Sequence, residues 1–235
     1  MNKVAIGCIV RNRAWILPEY LQALKNINYP EKQFLFLEND STDNTLNILY
    51  QSGITGLLPV TSIKTGFAYW NRSGYGINNY GHLAFIRNIY LEMFLLTDAD
   101  YLLSIDSDVI VSPDIIDKLS DFADQKTIVG AAICNIPGRK LDGHLPGNFL
   151  IERGGVYIHP PEYRFDGVAD VDIVGAVYTI PRRTIEDGVR YAAHLQGEDI
   201  PFCLSAIEKG YAIKVCFDIN CSHRMIEPVQ TVTEV

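Results

Sequence analysis

Apolar positions along this chain fall into two patterns. Short continuous apolar runs bounded by turn residues read as buried strands, and longer stretches with apolar residues three and four apart read as helices. Val4 to Val10 is a run of the first kind, closed by Arg11-Asn12-Arg13. Leu17, Tyr20, Leu21 and Leu24 recur at helical spacing, with Pro18 suited to a first helical turn. Asn28-Tyr29-Pro30 ends that helix, because the residue before a proline is pushed out of the helical region. Gln33 to Leu37 is a second apolar strand, followed by eight polar residues, Glu38 to Thr45. Within them Ser41 or Thr42 can cap a helix that carries Leu46, Ile48, Leu49 and Tyr50. This β-α-β-α order predicts a parallel sheet.

The rest of the chain continues the alternation with one change of texture. Thr65 to Gly81 mixes glycine, asparagine and aromatic residues without a period and reads as a long loop, of the kind that forms lids and binding platforms or is simply packed. Leu83 to Leu96 returns to helical spacing. Tyr101 to Val111 is a buried strand interrupted by Asp106-Ser107-Asp108. Ser112-Pro113-Asp114 opens a helix with Ile115, Ile116, Leu119 and Phe122 on its apolar face. Thr127 to Ile133 predicts a further strand. Residues 135 to 168 predict loops, with a hairpin around Phe149-Leu150-Ile151 and Val156-Tyr157-Ile158. Val171 to Ile180 is strand-like, and Pro181-Arg182-Arg183 leads into a short helix. Gly197-Glu198-Asp199 precedes another helix, ended by Lys209-Gly210. Tyr211 to Phe217 is the last strand, and Cys221 to Met225 trails off it. With no repeat or linker, the expectation is one α/β domain over 1–235 with a mostly parallel central sheet flanked by helices.

Composition narrows the function classes. A net charge of -8 argues against broad nucleic-acid binding, which needs a basic surface. No stretch reaches the roughly 18 apolar residues of a membrane span. The apolar N-terminus is short and runs into Arg11 and Arg13 with no small-residue cleavage site, so it reads as a strand and not a signal peptide. The five cysteines are odd in number and lack paired metal-type spacing. They read as free, mostly buried thiols in a reducing compartment, which points to the cytoplasm or a cytoplasmic face.

Candidate chemistry collects at strand ends. Ionised aspartates are almost never buried unpaired, so Asp106 and Asp108 at the end of a core strand need compensation. A divalent cation supplies it; a solvated turn or helix cap is the alternative for any isolated Asp-x-Asp. In open parallel sheets ligands bind at the carboxyl ends of strands. Those ends carry Arg11 and Asn12, then Glu38, Asn39 and Asp40, then Asp106 and Asp108, and finally His223. Carboxylates plus phosphate oxygens suit Mg²⁺ or Mn²⁺ on a nucleotide. An imidazole in the set leans toward Mn²⁺, although His223 also reads as a surface histidine near the end of the chain.

Several of these stretches, in this order, resemble glycosyltransferases of the GT-A fold, the family 2-like group in particular. Glu38-Asn39-Asp40-Ser41-Thr42-Asp43-Asn44-Thr45 resembles their nucleotide-binding turn, with Asn39 in place of an aspartate and Asp40 in place of a glycine. Asp106-Ser107-Asp108 resembles the metal-binding Asp-x-Asp, and Gly197-Glu198-Asp199 resembles the motif that carries the catalytic base. His223 falls where many members place a third metal ligand. Ala84-Phe85-Ile86-Arg87-Asn88 is similar to a segment that approaches the nucleotide. Arg11-Asn12-Arg13, Leu17-Pro18-Glu19-Tyr20-Leu21 and Asn28-Tyr29-Pro30 are similar to collagen galactosyltransferase-type domains. The resemblance spans roughly residues 4 to 225. The basic residues that often follow the Glu-Asp motif are absent from Pro201 to Ser205, which leaves the acceptor open.

The resemblance implies a single GT-A, Rossmann-like domain that moves a sugar from a nucleotide diphosphate, UDP in the first instance, to an acceptor hydroxyl. It implies a Mn²⁺ or Mg²⁺ cofactor on Asp106, Asp108 and His223, and nucleotide contacts from Arg11, Asn12, Glu38, Asn39, Asp40, Arg87 and Asp106. Asp199 would take the acceptor's proton, and Glu198 would orient that base or bind the acceptor. One base and no enzyme nucleophile imply single displacement with inversion. Glu198 and Asp199 also fit a plain acidic helix N-terminus, and Arg11 and Arg87 each fit a structural role. Asp142, His144 and Asn148 are candidates for acceptor contacts. Two other readings are a nucleotide-sugar or glycan-binding module without catalysis, and a sugar-1-phosphate nucleotidyltransferase. The second usually has a glycine-rich loop after the first strand, and Arg11-Asn12-Arg13-Ala14 has no glycine.

Overall fold

A computed structural model describes residues 2–54, 60–65, 77–136, 147–160, 166–225 and 227. Its first half follows the predicted alternation. Strand β1 (Val4–Val10) leads to helix α1 (Leu17–Lys25), β2 (Lys32–Asn39), α2 (Thr45–Gln51) and β3 (Val60–Ile63). Then come α3 (Ile77–Leu95), β4 (Tyr101–Ile105), β5 (Val109–Val111), α4 (Ile115–Ser120) and β6 (Thr127–Ala131). The second half is richer in short strands: β7 (Phe149–Arg153), β8 (Val156–Ile158), β9 (Val168–Asp170), β10 (Ile173–Val174) and β11 (Val177–Pro181). Helices α5 (Arg182–Glu186) and α6 (Asp199–Glu208) and strands β12 (Ala212–Cys216) and β13 (Cys221–His223) complete it.

The central sheet has the order β3-β2-β1-β4-β11-β6-β12-β9. β3, β2, β1 and β4 are mutually parallel, β6 is parallel to β12, and β11 and β9 run antiparallel to their neighbours. The mostly parallel α/β sheet is thus as expected. Both of its faces are covered, which is why β1 reads as an unbroken apolar run. Val4, Ile6, Cys8 and Val10 pack with Leu17, Tyr20 and Leu24 of α1 and Ile115, Ile116 and Leu119 of α4. Ala5 faces the opposite core, built from Ala84, Ile86, Tyr90, Leu91 and Phe94 of α3 and Ile200, Phe202 and Cys203 of α6. Gly7 lies between these layers, where β2 comes so close that an added Cβ would stand 1.9 Å from the Leu35 carbonyl oxygen.

Most departures from the expected elements bear on the strand ends. β2 continues two residues past Leu37, so Glu38 and Asn39 lie inside the strand and are buried. α2 begins at Thr45 with Asn44 at its cap, and the Asp43 carboxylate accepts the Thr45 N–H (3.0 Å), so neither Ser41 nor Thr42 caps it. The 101–111 run is two strands in two sheets, because β5 leaves the main sheet to pair with β13. The 171–180 run is likewise broken. β10 joins a small sheet with β7 and β8, β11 enters the main sheet, and Ala176 between them has φ +60. α3 begins at Ile77, inside the stretch expected to be loop, and 66–76 lie outside the described residues. The predicted 149–151/156–158 hairpin is present as antiparallel β7 and β8. All five cysteines are free, and four of them are buried. No helix among the described residues is long and apolar enough to cross a membrane.

Candidate active site

β1 is flanked by β2 on one side and β4 on the other, so the order of the sheet reverses between β1 and β4. A ligand crevice is expected at the carboxyl ends of strands at such a switch point. Two groups of polar residues lie there.

The first group joins the ends of β1, β2 and β3. Asn12 has φ +47 and Asp40 φ +49, left-handed conformations that these two residue types tolerate better than most. The Asn12 side-chain oxygen accepts the Thr42 N–H (2.8 Å), and the Asn12 N–H donates to Ser41 Oγ (3.1 Å). Glu38 is fully buried; its carboxylate accepts the Ser41 N–H (2.6 Å) and the Ser62 hydroxyl. Asp40 Oδ2 accepts from the Thr65 N–H (2.9 Å), the Thr65 hydroxyl (2.6 Å) and the Asn39 side-chain amide (2.8 Å). Of the expected nucleotide contacts, Asn12, Glu38 and Asp40 therefore spend hydrogen bonds on Ser41, Thr42, Ser62 and Thr65 of the neighbouring turns, and the Asn39 amide spends one on Asp40. They build the edge of the crevice. Arg11 lies close enough to His82 of α3 to depress that imidazole's pKa, after burial has already done so.

The second group surrounds the Asp-x-Asp turn. The Asp106 N–H donates to the Ala176 carbonyl (2.8 Å), which fastens the turn to the kink between β10 and β11. Asp108 is buried, and the β5–β13 register sets His223 opposite Val109, one residue away. His223 Nε2 stands 3.5 Å from Asp108 Oδ1, and Arg13 Nη2 lies 3.3 Å from Asp108 Oδ2. Burial alone would push the Asp108 carboxyl up, but His223 and the Arg13 guanidinium outweigh it and hold it below the usual carboxylate range. His223 therefore belongs to a short ribbon of its own, and not to the end of the last main-sheet strand.

Behind the turn, α3 points Arg87 into the sheet. Its Nε donates to Glu198 Oε1 (2.7 Å) and its Nη2 to Asp106 Oδ1 (3.1 Å). Burial opposes the guanidinium's charge, but Asp106, Glu198 and Asp199 more than offset it and raise its pKa well above the ordinary value. Glu198, at the cap position of α6, is buried and reaches Arg87. Asp199, the first residue of α6, accepts a hydrogen bond from the Tyr178 hydroxyl (3.1 Å). Its other oxygen faces Gly175 so closely that a Cβ there would stand 2.6 Å away. Burial and the neighbouring Glu198 carboxylate push the Asp199 carboxyl up to about 7, against the pull of Arg87 and Tyr178. A carboxylate poised near neutrality suits general-base work.

The donors fit a divalent cation in part. Asp108 and His223 adjoin, and His223 Nδ1 is buried with no hydrogen-bond partner. Asp106 is instead engaged by Arg87, and among the described residues no group of three His, Cys, Asp or Glu side chains is gathered to hold a metal ion. A divalent ion on a nucleotide is commonly held by only one or two protein groups, with phosphate oxygens and waters in the other positions, and an imidazole beside the Asp108 carboxylate favours Mn²⁺ over Mg²⁺.

Sequence reasoning did not single out Arg13, Gly175, Tyr178 or Tyr191 for this cluster. A readable signal existed for Tyr178, since a tyrosine in a core strand needs a partner for its hydroxyl. Asn148, expected at the acceptor, ties loops together: its amide donates to the Ala131 and Gly175 carbonyls (2.9 and 2.7 Å). Asp142 and His144 lie outside the described residues. Two surface grooves, of about 410 and 520 Å³, are lined by none of Asp106, Asp108, Glu198, Asp199 and His223 and sit elsewhere on the molecule.

No protein-family model matches the sequence, and no curated protein sequence matches it. Solved structures do. GalNAc-T7 with UDP, GalNAc and Mn²⁺ superposes with a TM-score of 0.66 at 12% identity, over 95% of this chain and 44% of that one. The mannosyltransferase PcManGT from Pyrobaculum calidifontis, with GDP-Man and Mn²⁺, gives 0.61 at 14% identity over 97% and 58%. S. aureus TarS 1-349 in complex with UDP-GlcNAc gives 0.59 at 17% identity over 92% and 56%. The chain spans less than two thirds of the length of each. Nearly all of it is covered by every one of these superpositions, and on that ground it has the GT-A glycosyltransferase fold.

Proposed function

We propose that this chain is a catalytic glycosyltransferase domain that moves a sugar from a nucleotide diphosphate, UDP in the first instance, to an acceptor hydroxyl with inversion. The observation that carries the reading is the meeting of Asp106, Asp108, His223 and Arg87 with Glu198 and Asp199 at the switch point of this fold. A donor-binding module without catalysis has no need of a carboxylate raised toward neutrality beside a buried cation.

In this reading Asn12, Glu38, Asn39 and Asp40 shape the wall that receives the nucleoside, and Arg11 offers it a positive charge. Asp106, held from behind by Arg87, would be shared between ribose and metal. Asp108 and His223 would hold a Mn²⁺ or Mg²⁺, which when bound would supply Lewis-acid stabilisation of the departing diphosphate. Arg87 keeps a fixed positive charge behind Asp106 and needs no reorganisation as negative charge develops. Asp199 accepts the acceptor's hydroxyl proton while the acceptor oxygen bonds to the anomeric carbon and the bond to the diphosphate breaks. Glu198 holds Arg87 in place at the N-terminus of α6. Five free cysteines support work in a reducing compartment such as the cytoplasm.

A screen of UDP- and GDP-sugars for binding and hydrolysis, with and without Mn²⁺, tests the proposal. Turnover of at least one donor is expected, falling at least about 100-fold in Asp108→Ala, with donor binding kept and transfer lost in Asp199→Asn. No donor bound by the wild type, or unchanged turnover in Asp108→Ala, overturns it.

A further inference from the structure

Two buried tyrosines stand behind Asp199, and neither is needed to close a turn or a helix. Tyr178 on β11 is fully buried, and its hydroxyl donates to Asp199 Oδ1 at 3.1 Å. Its hydroxyl also touches that of Tyr191. A phenol carries one hydrogen. Since Tyr178 gives its hydrogen to Asp199, Tyr191 must be the donor to Tyr178, and the bonds run one way: Tyr191 to Tyr178 to Asp199. Chains of this kind polarise each other, so the terminal donor is stronger than a lone phenol.

Tyr191 is itself held on every side. Asn88 of α3 clamps its backbone twice, accepting the Tyr191 N–H and donating to the Tyr191 carbonyl, both at 2.9 Å. Its ring stacks on Phe202 with centroids 4.2 Å apart and 16° between planes, and the Arg87 guanidinium lies 5.4 Å from the ring centre. Neighbouring residues of one helix thus serve two arms. Arg87 holds Glu198 and Asp106, while Asn88 holds the tyrosine pair.

We infer that Tyr178, backed by Tyr191, is a positioning residue for the transferase reaction, fixing the Asp199 carboxylate with Oδ1 occupied and Oδ2 left over the bare Cα of Gly175 to take the acceptor's proton. The inference rests on the transferase reading above. Oδ1 already accepts the Tyr178 hydroxyl and is the less basic oxygen, so the incoming proton goes to Oδ2, and Gly175 leaves the room that any side chain would fill. The acceptor O–H bond breaks as its oxygen bonds to the anomeric carbon, the proton goes to Asp199 Oδ2, and the electron pair of the broken glycosyl bond leaves on the diphosphate. The hydrogen bond from Tyr178 favours the ionised base. The other groups that act on Asp199 are Glu198 and Cys203 of α6, Arg87 of α3 and Asp106 of the turn after β4.

The test compares Tyr178→Phe and Tyr191→Phe with Tyr20→Phe in the full chain. Tyr20 is an equally buried phenol whose hydroxyl donates to the Ile105 carbonyl (2.7 Å), so it reports what loss of a buried hydroxyl does by structure alone. Tyr178→Phe should lower kcat about 10-fold or more with donor Kd unchanged, and move the midpoint of the kcat/KM–pH profile up by about one unit. Tyr191→Phe should shift it the same way by less, and Tyr20→Phe should leave it in place. A Tyr178→Phe profile that coincides with wild type overturns the positioning role while leaving the transferase reading intact. Where the wild type turns over no nucleotide sugar, the transferase reading itself fails. The tyrosine pair is then decided by ¹³C-carboxyl titration of labelled aspartate: an upward move of the Asp199 titration in Tyr178→Phe upholds its hold on the carboxylate, and no move refutes it.

Discussion

Removing the guanidinium of Arg87 strikes a buried cation paired with two carboxylates. In Arg87→Met the chain keeps a side chain of comparable reach but loses the cation that lies 2.7 Å from Glu198 and 3.1 Å from Asp106. With charge centres about 4 Å apart and an effective dielectric near 20, each attraction is worth roughly 4 kcal/mol. Asp106 recovers much of its share from water, because its side chain is 31% exposed. Glu198 cannot, being 4% exposed, so its charge is left buried and uncompensated. The arginine's own desolvation cost is relieved at the same time, which brings the expected net loss to about 3–5 kcal/mol, the usual range for breaking a buried pair from one side. That is a large fraction of the roughly 5–15 kcal/mol that holds a domain together. Urea unfolding followed by far-ultraviolet circular dichroism reads it as a fall in midpoint at little-changed slope. The decisive control is the double variant Arg87→Met/Glu198→Gln. If the cost is an orphaned charge, neutralising Glu198 should return at least about 2 kcal/mol relative to Arg87→Met alone. A single variant that loses under about 1 kcal/mol, or a double variant as unstable as the sum of the singles, would refute the argument.

Three further outcomes are expected. Gly175→Ala forces a Cβ to 2.6 Å from Asp199 Oδ2, so transfer should fall at least about 10-fold while donor affinity, followed by calorimetry, stays within about 2-fold. Gly7→Ala drives a Cβ to 1.9 Å from the Leu35 carbonyl across the β1–β2 pairing; soluble folded protein should be lost, and recovery of a wild-type melting curve would contradict the close approach. The Asp199 carboxyl is raised from an unfolded value near 4 to about 7, so between those pH values the folded chain binds the extra proton. Stability should then fall as pH rises from about 4 to about 7, and Asp199→Asn should flatten that slope in melting temperatures taken across the range; an equal slope in the variant would show the proton to be bound elsewhere.

The elements that the sequence made legible are those whose pattern is local. β1 appears at its predicted bounds because a strand covered on both faces must be apolar at every position. The polar strand ends could be placed on one edge of the sheet because parallel β-α-β connections bring successive carboxyl ends to the same side. What pattern missed were the places where the chain breaks its own run. β3 is four half-buried residues with no alternation to announce them. The 171–180 stretch is apolar enough to look like one strand, yet it turns at Gly175-Ala176 and enters two sheets. Likewise, the polar string from Glu38 to Thr45 looks like a surface turn, although its first two members are buried in β2, where Glu38 is satisfied by Ser41 and Ser62.

The same division runs through the candidate site. The sequence by itself determined the sheet's alternation, the carboxylates at its edge and the order in which Asp106, Asp108, Asp199 and His223 arrive. Only the tertiary structure decided which partner each of them has. It gives Asp108 to His223 and Arg13, Asp106 and Glu198 to Arg87, and Asp199 to Tyr178. The reason is physical. Period and composition report how a residue meets its neighbours along one element, whereas the buried charge of Arg87 is set by groups 19 and 111 residues away in sequence. Those groups meet only after the sheet has formed and the helices have packed on it.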